Sequence, residues 1–336
     1  MIKEAALFER HSQNRVQCLL CAHGCVISPA KRGICGVRTN RNGKLFTLAY
    51  GNIIAENIDP IEKKPLFHVF PGSRSLSIAA AGCNFRCIFC QNNEISQMPR
   101  EKGSLMGRET SSESIIAKAL QSGSRTIAYT YTEPTVFFEF AFDTALKARE
   151  KGIGSVFVSN GYMSKECLEL LPLFLDAANI DLKSMNDNFY RHYCGGRLQP
   201  VLDALKAVKK AGIWLEVTTL VIPGLNDSNE ELKDIARFVA ALGEETPWHI
   251  SRFHPQYKMR ERPPTSYMTL RTAYDIGREA GLKYVYIGNI PGEKTESTFC
   301  AVCSEPLIER SGFRINRIHL HDRSCPNCKT PLEGIF

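Results

Sequence analysis

Cys83, Cys87 and Cys90 sit in the run CNFRCIFC, three thiols within eight residues. Thiolates at this density bind metal, and a four-iron, four-sulfur (4Fe-4S) cluster held by three of them leaves one iron without a protein ligand. That open position is where a substrate or cofactor coordinates. A zinc ion with a borrowed fourth ligand is the alternative for the same residues. Two further sets flank them. Cys300, Cys303, Cys325 and Cys328 form the pairs CAVC and CPNC, bridged by the alternating run FRINRIHLH. Two such knuckles around a hairpin describe a zinc ribbon, four thiolates closing a tetrahedral structural site, with a rubredoxin-type iron centre as the rival. His319 and His321 then read as surface or packing residues. The segment CLLCAHGCVISPAKRGICGVR carries Cys18, Cys21, Cys25 and Cys35. These four close around a structural zinc, the preferred reading because nothing nearby suggests an open ligand position, or hold an auxiliary iron-sulfur cluster that relays electrons. His23 is able to replace one thiol. Cys167 reads as a small buried apolar residue in the helical pattern SKECLELLPLF, and Cys194, in HYCGGR, reads as another packed thiol.

Composition sets the context for these thiols. The 336 residues are 43% hydrophobic and 23% charged, the profile of a globular protein with a large core. The net charge of +7 is spread along the chain, with basic runs no longer than pairs such as Lys63-Lys64, which argues against a nucleic-acid partner. MIKEAALFERHSQ lacks the apolar stretch of a signal peptide, and no segment approaches the roughly 20 apolar residues of a membrane span. The expectation is a cytoplasmic protein with no membrane partner. In a reducing compartment, thirteen cysteines mean metal ligands rather than disulfides.

The elements that must position the central thiols follow from periodicity. Apolar, β-rich runs at Leu76 to Gly82, Thr126 to Tyr131, Ser155 to Ser159, Ala178 to Lys183, Trp214 to Ile222, Trp248 to Phe253 and Tyr284 to Asn289 alternate with helical patterns. In VLDALKAVKKAG, for example, Leu202, Leu205, Val208 and Ala211 share one face. Glycines in KKAG and REAG predict C-terminal caps. Strand-then-helix repetition implies an α/β fold with a parallel sheet, a full or partial barrel, whose functional residues gather where strands end.

The motif CNFRCIFC directly after the first strand, with Phe89 before its last cysteine, resembles the radical S-adenosylmethionine (SAM) superfamily. The resemblance implies a partial (β/α)6 barrel and reductive cleavage of SAM, chelated by the unique iron, to methionine and a 5'-deoxyadenosyl radical that abstracts hydrogen from substrate. It also implies cofactor contacts at strand ends: Thr132 and Glu133 in YTEP for the SAM amino group, Ser159 and Asn160 in SNG for the ribose, and Asp181 and Lys183 in DLK, with His254 in RFHP, for the carboxylate region. IEKKPLFHVFPGS, CQNNEIS and VIPGLND are similar to the pyruvate formate-lyase activating enzyme branch. With DLKSMNDNFYRHYCGG and HPQYKM, the chain is most similar to the AmmeMemoRadiSam system radical SAM enzymes. One departure is Gln91, where the activating enzymes carry histidine.

The expected organisation is a Cys-rich N-terminal segment over 1–71, a radical SAM barrel over 72–292 and a zinc-ribbon-like module over 293–336. The expected activity is that of a radical SAM oxidoreductase acting on a protein, peptide or small molecule, with 4Fe-4S, SAM and zinc as cofactors and a flavodoxin or ferredoxin as electron donor. Activation of a glycyl-radical enzyme is the alternative within that class. A metal-binding adaptor that recruits nucleic acid or a protein partner is the alternative outside it.

Overall fold

The computed structural model describes residues 1–290 and 294–336, Lys294 by its backbone only. Seven strands form a parallel array: β1 (Arg74–Ala80), β2 (Ser124–Tyr129), β3 (Gly154–Ser159), β4 (Ala177–Asp181), β5 (Trp214–Val221), β6 (Trp248–Arg252) and β7 (Val285–Gly288). They hydrogen-bond in sequence order, each to the next. Both faces of the array are covered, which is why its strands read as nearly continuous apolar runs. Ile78, Ile127, Phe157, Ile180, Val217, Ile250 and Ile287 all lie in one core with the helices' apolar faces.

Between the strands run α1 (Ser112–Gln121), α2 (Phe138–Arg149), α3 (Lys165–Leu170), α4 (Leu198–Lys210), α5 (Asn229–Leu242) and α6 (Tyr267–Glu279). Four of them start at a serine whose hydroxyl accepts a backbone N–H of the first turn: Ser111 from Ser114, Ser164 from Cys167, Ser228 from Glu231 and Ser266 from Thr269. Cys167 is buried on α3, as expected. α4 buries Val201, Leu202, Leu205 and Val208. Ala211, expected on the same face, instead lies exposed just past the helix, where Gly212 takes a left-handed φ of 73° and ends it.

The sheet stays open. Beyond β1 it continues with Asn52–Pro60, antiparallel to β1, and Arg108–Glu109, giving nine strands among the described residues. It therefore runs across position 71, where the N-terminal segment was expected to end; the boundary expected at 292/293 lies outside the described residues. Residues before Asn52 form two three-stranded antiparallel sheets, one from Lys3–Glu4, Arg38–Arg41 and Lys44–Thr47, the other from Phe8–Arg10, Val16–Cys18 and Val26–Ile27. Thr298–Phe299, Pro306–Ser311 and Arg314–Ile318 make a third such sheet.

That last sheet packs near the N-terminal ends of β5 to β7, where Phe67, Tyr284, Tyr286, Leu307, Ile308 and Leu332 share a second core. Glu216, fully buried near the start of β5, ties this floor together. Its carboxylate accepts the backbone N–H of Phe67 (2.9 Å) and of His68 (2.8 Å), and bonds His249 Nε2 on β6 (2.6 Å). No helix among the described residues is long and apolar enough to cross a membrane.

Candidate functional site

The opposite ends of the strands carry the predicted site. β1 runs out at Ala80, and the loop bearing Cys83, Cys87 and Cys90 follows at once. Two partners pin this loop. Arg86 and Ile88 donate their N–H groups to the carbonyls of Cys194 (2.8 Å) and Tyr193 (3.0 Å), and Lys258 donates to the carbonyl of Ile88 (3.0 Å). Phe89 is buried beneath the loop, its ring 6.0 Å from that of Phe189.

Strand ends bring the other predicted residues toward the loop. Glu133, buried after β2, accepts four hydrogen bonds: from Thr135 N (3.1 Å), Thr135 Oγ1 (2.5 Å), Ser159 Oγ (2.8 Å) and Asn160 N (2.8 Å). Burial still pushes its carboxyl above the usual range, against the pull of those donors. One carboxylate thereby fixes the ends of β2 and β3 relative to each other. Asn160 Nδ2 then donates to Asn84 Oδ1 (2.7 Å) and lies 3.7 Å from Cys83 Sγ. Asn84 in turn donates to the carbonyl of Tyr162 (3.0 Å). Thr132 turns its hydroxyl back to the carbonyl of Ala80 (2.7 Å), which ties the YTEP turn to the end of β1.

At the end of β4, Lys183 Nζ pairs with Asp181 Oδ2 at 2.6 Å and is buried. Burial alone would lower its pKa, but Asp181 and the neighbouring sulfurs of Cys87 and Cys194 hold it well above the usual lysine value. Asn226, from VIPGLND, donates to the carbonyl of Lys183 (2.6 Å) and so anchors the loop after β5 to the same corner. His254 follows β6 but is exposed, and Gln91 is exposed beside Cys90.

Cys194 is packed, as the sequence suggested, but its place beside the Cys loop was not foreseen. It is fully buried beside Cys87, and the neighbouring Cys194 thiol, then burial, raises the Cys87 pKa well above the ordinary value. Burial likewise raises Cys83 and Cys90. As free thiols the three are neutral; a bound metal centre is what stabilises them as thiolates. The signal that could have found Cys194 is the Gly195-Gly196 pair behind it. A Cβ at Gly196 would lie 2.3 Å from Phe85 Cε1, so only glycine permits this approach to the Cys loop.

The donor set fits the cluster the motif implies. Three thiols converge with no fourth cysteine in the motif, and they are spread wider than the 4.8 Å within which the ligand atoms of a single-ion site gather. Only the C-terminal four meet that closeness among the described residues. Cys300 and Cys328 have their sulfurs 3.5 Å apart, as do Cys303 and Cys325, close to the roughly 3.8 Å that tetrahedral Zn–S bonds of 2.3 Å require. Hydrogen bonds from Thr330 pull the Cys328 thiol down to about 6. His319 and His321 bond nearby carboxylates, at 3.4 Å to Glu305 and Asp322 respectively, and take no part.

A profile of the Radical SAM superfamily matches residues 77–239, from within β1 to within α5. An uncharacterized protein of Methanocaldococcus jannaschii is 46% identical over 335 residues, 99% of each chain. The pyruvate formate-lyase-activating enzyme of Clostridium pasteurianum is 25% identical over 209 residues, 57% of this chain and 84% of that one. GTP 3',8-cyclase of Listeria monocytogenes is 25% identical over 228 residues, 65% of each chain. With the Cys loop after the first parallel strand of an open α/β barrel, these similarities make the chain a member of the radical SAM superfamily, in the branch that resembles the pyruvate formate-lyase activating enzymes.

Proposed function

We propose that Cys83, Cys87 and Cys90 ligate the 4Fe-4S cluster of a radical SAM oxidoreductase that abstracts hydrogen from a protein, peptide or small molecule. The observation that carries this reading is the convergence of Glu133, Asn160 and Lys183, from the ends of three successive strands, on the loop that bears the three thiols. When bound, the cluster supplies the electron for cleaving the SAM sulfonium, and its reductant belongs to the flavodoxin or ferredoxin class. The chain's own residues bind and orient. Glu133 has both oxygens engaged, so it acts as a positioning residue that sets Ser159 and Asn160 for the ribose, leaving the Thr132 backbone for the SAM amino group. Lys183, charged beside Asp181, supplies the cation for the carboxylate, and His254 borders the same end of the barrel.

Activation of a glycyl-radical enzyme is a second reading, favoured by the similarity to the activating enzyme of Clostridium pasteurianum. Gln91 weighs against it. The deciding experiment is anaerobic: reconstitute iron and sulfide, reduce with dithionite, add SAM and quantify 5'-deoxyadenosine. Wild type is expected to form it and Cys83→Ala to form none; undiminished product from the alanine variant sinks the ligand assignment.

A further inference from the structure

Cys18, Cys21, Cys25 and Cys35 do not gather as the C-terminal four do. They line one pocket, whose wall also includes Leu20, Ile27 and Val136. A zinc ion draws four sulfurs into mutual contact, because its Zn–S bonds are only about 2.3 Å long. The C-terminal set has that contact at 3.5 Å, whereas the N-terminal sulfurs fall outside the 4.8 Å grouping. A cubane of iron and sulfide separates its four ligands by its own width.

Arg38 is a second, independent sign of an occupant. It lines the cavity, is 1% exposed and binds both oxygens of Glu139 through Nη2 alone, at 2.6 and 2.7 Å. Its Nε and Nη1 are buried without a partner in the protein. Two unanswered guanidinium donors beside four thiols call for a negatively charged group, since a buried donor left without an acceptor is destabilising. A four-iron cluster with four thiolate ligands carries net negative charge and presents acceptor sulfurs.

The cavity is also wired to the Cys83 loop. His23, one of its lining residues, lies with Nε2 2.9 Å from the carbonyl of Asn84, next to Cys83. Thr135, another, donates to Glu133. We propose that Cys18, Cys21, Cys25 and Cys35 hold a second, fully ligated 4Fe-4S cluster that exchanges single electrons between an external iron-sulfur or flavin donor and the cluster at Cys83, Cys87 and Cys90. Each transfer oxidises one centre by one electron and reduces the other by one, with no bond made or broken. The electron-exchange partner rests on the reading above; the second cluster itself does not.

The test is metal and sulfide analysis with Mössbauer spectroscopy on the anaerobically reconstituted full chain. Wild type should hold about eight irons and one zinc, and the variant with Cys83, Cys87 and Cys90 all replaced by alanine should keep about four irons as one cubane. Adding Cys18→Ala and Cys35→Ala to that variant should remove them. About four irons in wild type, all lost in the triple variant while its circular dichroism and C-terminal zinc are retained, would overturn the proposal. Because wild type is counted directly, misfolding of a variant cannot rescue it: four irons and two zincs in wild type also overturn it. Four irons that survive the triple replacement would uphold this site and remove the ligand assignment of Cys83, Cys87 and Cys90 instead.

Discussion

Glu133 shows what one buried carboxylate does when its acceptors are all used. Its four donors belong to its own turn and to the end of β3, so it fixes the ends of β2 and β3 against each other. Glu133→Gln keeps the shape but turns an amide N–H toward groups that themselves donate. The expected loss is about 2 kcal/mol of unfolding free energy by urea titration, with weaker SAM binding by equilibrium dialysis; unchanged values for both would show that the charge is dispensable. Glu133, Ser159, Asn160 and Lys183 were named from the family resemblance, at places where apolar runs stop, and the structure puts them at or just beyond strand ends. Asn84 and Cys194 were not, because their importance lies in a contact made across the fold. The sequence separation between Cys87 and Cys194 hides a thiol pair that burial brings together. His254 was named for its place at a strand end, yet position on the chain did not foretell that it would be exposed.

The seven parallel strands were readable because burial on both faces leaves unbroken apolar runs, and the glycines of KKAG and REAG, left-handed in the structure, marked two helix ends. Asn52–Pro60 escaped notice for the opposite reason. NIIAENIDP is half exposed and carries charged residues, so no run announces it, although it pairs along the whole of β1. The small N-terminal strands are two to four residues long and too short to show any period. What holds the Cys loop is similarly local. Gly196→Ala would drive a methyl group into the Phe85 ring and push apart the two backbone hydrogen bonds that link the loop to Tyr193 and Cys194. The expectation is a loss of about 1–3 kcal/mol and faster amide exchange at Arg86 and Ile88. Wild-type exchange at those two amides in the variant would refute the pinning role.

Across the whole molecule, the floor of the barrel depends on one protonation state. His68 Nδ1–H donates to the carbonyl of Glu333 (2.7 Å), so Nε2 accepts from the Tyr286 hydroxyl (2.7 Å). Tyr286 is bonded to Thr298 Oγ1 (2.8 Å), which accepts from Arg310 Nη1 (2.7 Å). A second proton on His68 would face the tyrosine donor and reverse that chain. Burial accordingly lowers the His68 pKa from 6.5 to about 4. Between those values the unfolded chain binds a proton that the folded one refuses, so stability falls as pH drops through this window, by up to roughly 3 kcal/mol. Urea midpoints measured from pH 7 to 4 should decline in wild type and decline less in His68→Gln; parallel curves would refute the assignment.

The strands that shape the floor and the residues that complete it are made far apart in time. Ile335 exchanges backbone hydrogen bonds with His68 (2.8 Å) and Phe70 (2.7 Å), and Glu333 caps the His68 ring from 265 positions away. On a ribosome, residues 66–70 emerge long before the segment that covers them, so the early barrel waits with Phe67 and His68 uncovered. Such late, distant closure slows folding and leaves an adhesive surface for a chaperone to shield. The thiol-bearing loop, built from earlier and nearer segments, can take its shape while the opposite end is still open.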